Sequence, residues 1–144
     1  MRYLNVGELV KAQETISLGP QSSVQEAAEL MAAHRVGAIP VVDAGKLVGL
    51  FTERDLLNRV VAKGLQPVDV ALSAVMTGQP ITVEPRTSLV EGLSIMSENG
   101  FRHLPVLAED RVLGILSCRD IPPDYWIMRD NWMAAREKPS LAIR

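Results

Sequence analysis

Moved 65 positions along itself, the chain falls onto its own sequence without a gap. Ile16 meets Ile81, Pro20 meets Pro85, Ser23 meets Ser88, Glu26 meets Glu91 and Met31 meets Met96. Further on, Pro40-Val41 meets Pro105-Val106, Gly49 meets Gly114, and Arg54-Asp55 meets Arg119-Asp120. Between these identities the polarity class is mostly kept, as in Ile39/Leu104, Leu50/Ile115 and Thr52/Ser117. A two-copy repeat restricts the chain to architectures built from two like units. Two units related by an approximate two-fold leave paired clefts at their junction, and clefts are where small molecules bind. Each half, of roughly 60 residues, buries too little surface to be more than marginal alone. The halves are therefore expected to pack as one cooperative body.

Composition narrows the function classes. The formal net charge is −2 with no block of like charges, so the basic stripe that neutralises nucleic-acid phosphates is missing. The apolar runs stop well short of the ~20 residues of a membrane span. Met1-Arg2-Tyr3-Leu4 lacks the apolar stretch of a secretory signal. Cys118, the one cysteine, permits no internal disulfide. The expectation is a soluble cytoplasmic protein that contacts neither nucleic acid nor membrane.

Each copy reads helix, strand, helix, strand, strand, helix. Asn5 can cap a short helix over Val6–Val10 with Glu8 three residues on, and Leu72–Met76 is its counterpart. Short strands follow at 15–18 and 80–83, closed by Gly19-Pro20 and Glu84-Pro85. Ser23-x-x-Glu26 and Ser88-x-x-Glu91 are capping boxes. The helices behind them put Val24, Ala27, Ala28 and Met31, or Leu89, Leu93 and Met96, on one face. They end near Arg35-Val36-Gly37 and Asn99-Gly100. Two nearly all-apolar strands come next in each copy, as expected of strands covered on both faces, with Pro40 and Pro105 read as strand starts. A last helix begins at Thr52, carries Leu56, Leu57, Val60 and Val61 inward, and stops at Gly64. The residues divide as 1–64, 65–123 and a C-terminal segment 124–144.

The order of elements, the Leu-Pro-Val strand and the pattern Gly-h-h-[Ser/Thr]-x-x-Asp (h apolar) resemble the cystathionine-β-synthase (CBS) domain. Two in tandem resemble a Bateman module, over roughly residues 5 to 121. The resemblance implies an α/β fold of two CBS-type repeats forming a pseudo-two-fold pair. It further implies an adenosine-containing ligand (AMP, ADP, ATP, S-adenosylmethionine or NAD) in the inter-repeat clefts; it does not imply catalysis.

The chemistry of the pattern agrees with that implication. One carboxylate can accept a hydrogen bond from each of two neighbouring ribose hydroxyls, which suits Asp55 and Asp120. Thr52 and Ser117 stand at a strand-to-helix junction, where free N–H groups and the helix dipole favour a phosphate, and Arg54 and Arg119 add positive charge. Ile16, Ile81, Pro40 and Pro105 can frame an adenine ring. The same Thr-x-x-Asp and Ser-x-x-Asp strings are also plain capping boxes, and an Asp can do both jobs. The copies differ just before the proline strand. Arg102 and His103 match a position from which, in nucleotide-binding relatives, basic side chains reach phosphates; Gly37 and Ala38 do not. The clefts are therefore expected to be inequivalent, although a lone His on a turn is often simply solvated. His34 reads as ordinary helix C-terminal capping. Cys118 and His103 lack a third orienting group for nucleophilic catalysis, and two His with one Cys give no metal-ligand spacing. No catalytic residue, metal or cofactor is expected.

Copy two departs from the pattern after Ile121. Pro122-Pro123 interrupts the final helix, and Pro123 or Asp124 can start a new one with Tyr125, Met128 and Trp132 on one face. That face either covers the core edge of copy two or adds a contact surface, since aromatics and Met are enriched at interfaces. The expected protein is a regulatory or sensor module, with AMP the first candidate ligand, forming a homodimer and acting on an unidentified protein target. The alternative is a structural dimerisation protein with empty clefts.

Overall fold

A computed structural model of the chain describes residues 4–14 and 16–142, including all of their side chains except those of residues 132, 133 and 136–142. The helices are α1 (Val6–Val10), α2 (Val24–His34), α3 (Glu53–Asp55), α4 (Leu72–Val75), α5 (Leu89–Asn99) and α6 (Pro123–Ala142). The strands are β1 (Ala38–Asp43), β2 (Lys46–Thr52), β3 (Thr77–Gly78), β4 (His103–Ala108) and β5 (Arg111–Ser117), which form one sheet ordered β1-β2-β3 and another of β4-β5. The fold is α/β, and the repeat survives in its finest detail. Ala38 pairs with Thr52 and His103 with Ser117, the register slips at Val41/Val42 and at Val106/Leu107, and lone parallel bridges join Leu18 to Val41 and Val83 to Val106.

The caps form where the sequence places them. Asn5 Oδ1 accepts the Glu8 N–H at 2.8 Å, and Ser23 and Ser88 accept from Glu26 and Glu91 at 3.1 Å. Three details differ from expectation. Of the expected strands at 15–18 and 80–83, residues 16–18 and 80–83 contribute single bridges, at Leu18 and Val83, and residue 15 lies outside the described residues. Pro40 and Pro105 are third, not first, in their strands. Their carbonyls accept from Leu18 and Val83, so each ring nitrogen lies on the strand edge where only that one bridge is made. The helix after Asp55 turns π over Leu56–Val61, with the Ala62 N–H on the Leu57 carbonyl. Its wider turn rotates Leu57 and Val61 out to 60% and 58% exposure, leaving Val60 buried and Leu56 packed beneath it.

The two cores exchange their opening helices. Val6 and Val10 of α1 are buried with Leu89, Leu93, Leu104 and Leu116 of copy two. Leu72 and Val75 of α4 are buried with Val24, Ile39 and Phe51 of copy one. Backbone bonds hold each exchange, Gly7 to the Pro85 carbonyl at 2.8 Å and Leu72 to the Ser22 carbonyl at 2.9 Å. A Cβ on Gly7 would sit 2.7 Å from that of Pro85, so the approach requires glycine. Each buried Val or Leu contributes roughly 1.5–3 kcal/mol, and these four do so in the other copy's core. Neither copy closes its core without the other.

Helix α6 begins at Pro123 and packs on α5. Tyr125 is buried in the copy-two core, its hydroxyl accepting the Leu4 N–H at 3.3 Å, with Trp126 and Met128 packed beside it. The segment thus covers the edge of that core; the Trp132 side chain lies outside the described residues. Among the described residues no helix is long and apolar enough to cross a membrane.

Candidate ligand-binding cleft

At the junction of the copies a cleft of about 310 Å³ opens between elements distant in sequence. Its first wall comes from Ile16, from the end of α2 and the turn after it (His34, Arg35, Val36, Gly37) and from β1 (Ala38, Pro40). Its second wall comes from His103, from β5 (Val112–Ile115) and from Ser117, Arg119 and Asp120. Such a volume is at the small end of the range for ligand pockets, and apolar and polar side chains both line it. Ile16, Val36, Pro40 and Ile115 give an apolar slot, while Ser117, Arg119, Asp120 and His103 give a polar end.

Of the residues singled out in the sequence, Ile16, Pro40, His103, Ser117, Arg119 and Asp120 meet in this cleft. Thr52, Arg54, Asp55, Ile81, Arg102 and Pro105 are not among its lining residues. Asp120 is exposed to the cleft, and its carboxylate has no hydrogen bond or ion pair among the described residues. Asp55 is its opposite: 7% exposed, it accepts the Thr52 N–H at 3.1 Å and the Thr77 hydroxyl at 3.3 Å, with Arg59 Nε at 3.5 Å. The Asp55 N–H returns to Thr52 Oγ1 at 3.1 Å, which completes the capping box. Arg54 is also engaged, donating to the Gly100 carbonyl at 3.1 Å.

The helix expected behind Ser117 is a correction. Cys118–Asp120 forms one 3₁₀ turn, and Pro122-Pro123 prevents its extension. No helix dipole of any length aims at the cleft there, so attraction for an anion has to come from side chains. His103 has its pKa pushed down, chiefly by burial, with Arg119 and Arg102 adding to the shift and Glu53 and Asp120 opposing it. At neutral pH it is a neutral imidazole in the cleft wall.

Two lining residues carry no signal in the motif. Gln13 turns its carboxamide onto the β5 backbone, donating to the Ile115 carbonyl at 2.8 Å and accepting the Ile115 N–H at 2.9 Å. It supplies to β5 what the backbone of β3 supplies to β2, and nothing local marks a lone Gln for that work. Arg35 caps α2 in the left-handed region at φ 56°, whereas its counterpart Gly100 caps α5 at φ 71°. The repeat itself shows a non-glycine residue at that position.

The family model of the CBS domain matches residues 6–62 and 72–121. The CBS domain-containing protein YhcV of Bacillus subtilis is 34% identical over 75% of this chain and 76% of its own length. The chain covers less of other relatives, 20% of Arabidopsis thaliana CBSCBSPB2 at 34% identity and 62% of Methanopyrus kandleri MK0525 at 32%. Among solved structures, the CBS domain protein PAE2072 from Pyrobaculum aerophilum, complexed with AMP, superposes with TM-score 0.79 at 25% identity over 89% of this chain and 99% of that one. The CBS domain pair of MJ0100, in complex with 5′-methylthioadenosine and S-adenosyl-L-methionine, gives 0.74 at 26% identity over 83% and 93%. The chain belongs to the CBS-domain family, of which it carries two domains in tandem.

Proposed function

We propose that this chain is a regulatory or sensor module that binds one adenosine-containing ligand per chain in the cleft at Asp120, with AMP the first candidate. The observation that carries this reading is the uncommitted Asp120 carboxylate, beside Ser117 and Arg119 and at one end of an apolar slot. The adenine lies between Ile16, Val36, Pro40 and Ile115. Asp120 accepts hydrogen bonds from the ribose 2′- and 3′-hydroxyls, and Ser117, Arg119 and neutral His103 face the 5′ substituent. The complexes of PAE2072 with AMP and of MJ0100 with methylthioadenosine and S-adenosylmethionine support the ligand class. The reading rests on Asp120 rather than Asp55, whose oxygens are already taken. It includes no catalysis; the module works in the cytoplasm through a partner protein.

A ligand that binds only the folded state stabilises it by about 2.7 kcal/mol at one hundred times its Kd, so AMP is expected to raise the melting temperature. The 2′-deoxy analogue forfeits one charge-assisted hydrogen bond, a loss of roughly 1.5–3 kcal/mol in calorimetry. Equal affinity for AMP and deoxy-AMP would remove the ribose role of Asp120, and no melting shift with either would remove the ligand.

A second reading, a structural dimerisation protein, is favoured by the apolar side chains of Leu57, Val61 and Val68, which are 58–64% exposed. Such side chains suit contact with a second copy of the chain; in that reading the clefts stay empty, which the absence of any melting shift with AMP would favour. Sedimentation showing a monomer at high concentration would eliminate the dimer alone.

A further inference from the structure

Charge around the cleft is balanced rather than positive. Arg35 and Arg119 line it, but so do Glu14 and Asp120, and a fifth charge stands just behind the wall. Glu53 accepts the Arg119 guanidinium at 2.8 Å across the junction of the copies. Its backbone is fixed at Gly37 and its carboxylate lies over that glycine. Its N–H bonds the Gly37 carbonyl at 3.0 Å, and its carboxylate covers Gly37 so closely that a Cβ there would collide with it. His103 Nε2 comes to 3.0 Å from the same point, which places Glu53 beside the polar end of the cleft. The fold does not demand this acid. Cys118, its counterpart 65 residues on, makes the same backbone bond to the Arg102 carbonyl at 3.0 Å with no charge.

We propose that Glu53 sets the charge selectivity of the cleft: by holding Arg119 and keeping a carboxylate beside the tail end, it admits an adenosine ligand bearing no phosphate or one and disfavours di- and triphosphates. The inference rests on the adenosine reading of the same cleft. Arg119 and Glu53 are both more than half exposed, so one phosphate can draw the guanidinium away from a pair that is weak in water. Glu53 remains at the cleft edge, because its N–H bond to the Gly37 carbonyl fixes its backbone there and keeps the carboxylate within a side chain's reach of the tail end. Each further phosphate then adds charge close to Glu53, Asp120 and Glu14, within a Debye length of about 10 Å at 0.1 M salt. The single turn at Cys118–Asp120 offers no row of helix N–H groups to offset the repulsion.

The test is calorimetric titration of adenosine, AMP and magnesium-free ATP at pH 8 into the full chain and into Glu53→Gln and Glu53→Asp. The unaltered chain is expected to bind AMP more tightly than ATP. Glu53→Gln keeps the size and loses the charge, so adenosine affinity stays within about twofold while AMP gains about threefold and ATP about tenfold. Glu53→Asp, which keeps the charge, retains the preference against ATP. ATP matching AMP in the unaltered chain, or an equal shift of all three ligands in Glu53→Gln, would overturn the proposal and leave the cleft reading intact. If none of the three binds to any of the proteins, the adenosine reading itself falls and takes the selectivity with it.

Discussion

Asp55 and Asp120 occupy the same position in two copies of one motif, yet one is part of the protein's interior and the other faces a cleft. The difference lies in their neighbours. Thr77 donates to Asp55, and the residue 65 positions before Thr77 is Ala12, which has no hydroxyl. Arg59 stands beside Asp55, and the residue 65 positions after it is Asp124. Copy two therefore offers its aspartate no counterpart of either partner. The turn is also different. Thr52 starts a helix and closes a full capping box, whereas Ser117 Oγ accepts the Arg119 N–H at 3.4 Å in a 3₁₀ turn that leaves the Asp120 carboxylate out of the cap. A repeated motif is a repeated backbone, and its chemical use is decided by what packs on it.

The comparison breaks most easily at the carboxylates themselves. Asp55→Ala leaves the Thr52 N–H, the Thr77 hydroxyl and Arg59 without their acceptor, so it should lower the unfolding free energy by about 2–3 kcal/mol. Asp120→Ala should change stability by no more than about 0.5 kcal/mol while removing AMP binding. Urea unfolding beside calorimetry checks both, and similar losses of stability at the two sites would dissolve the contrast. The helix ends offer a smaller effect. No heavy atom lies within 4 Å of a Cβ built on Gly100, so Gly100→Ala should cost about 1 kcal/mol through conformation alone. Arg35→Gly should instead gain about 0.5–1 kcal/mol by relieving its left-handed backbone. If that gain comes with weaker AMP binding, Arg35 is kept in a strained conformation for the ligand. The smallest effect concerns His103. Its folded-state pKa lies below 6.5, so well above that pH the imidazole is neutral in both states and costs nothing. As pH falls below 6.5 the unfolded chain takes up the proton first, and stability declines until the folded state protonates too. His103→Gln should flatten that part of the pH–stability curve, and an unchanged slope would show that the burial of His103 has no such effect.

Much of the fold is legible in the sequence. The 65-residue shift, the caps at Asn5, Ser23 and Ser88, and the apolar strands with their prolines all recur in three dimensions. The π turn after Asp55 leaves no local mark, because Leu56, Leu57, Val60 and Val61 fit an ordinary helical stripe equally well. For the cleft, six of the twelve residues that the motif and the resemblance point to meet in one place. Gln13 and Glu53 carry no such signal, because their partners, Ile115 and Arg119, stand 102 and 66 residues away.

The sequence by itself determined what is local or periodic: that there are two units, where the helices behind Ser23 and Ser88 start, and which apolar segments pair as strands. These follow from hydrogen-bonding groups and side-chain periods within a few residues of one another, and they are the same in both copies. Only the tertiary structure decided that α1 and α4 change places between the cores, that Asp55 is enclosed while Asp120 stays open, and that Glu53 reaches across to Arg119. Those outcomes depend on which side chains from distant parts of the chain arrive at the same point. An internal repeat makes the backbone at that point symmetric and leaves its surroundings free to differ.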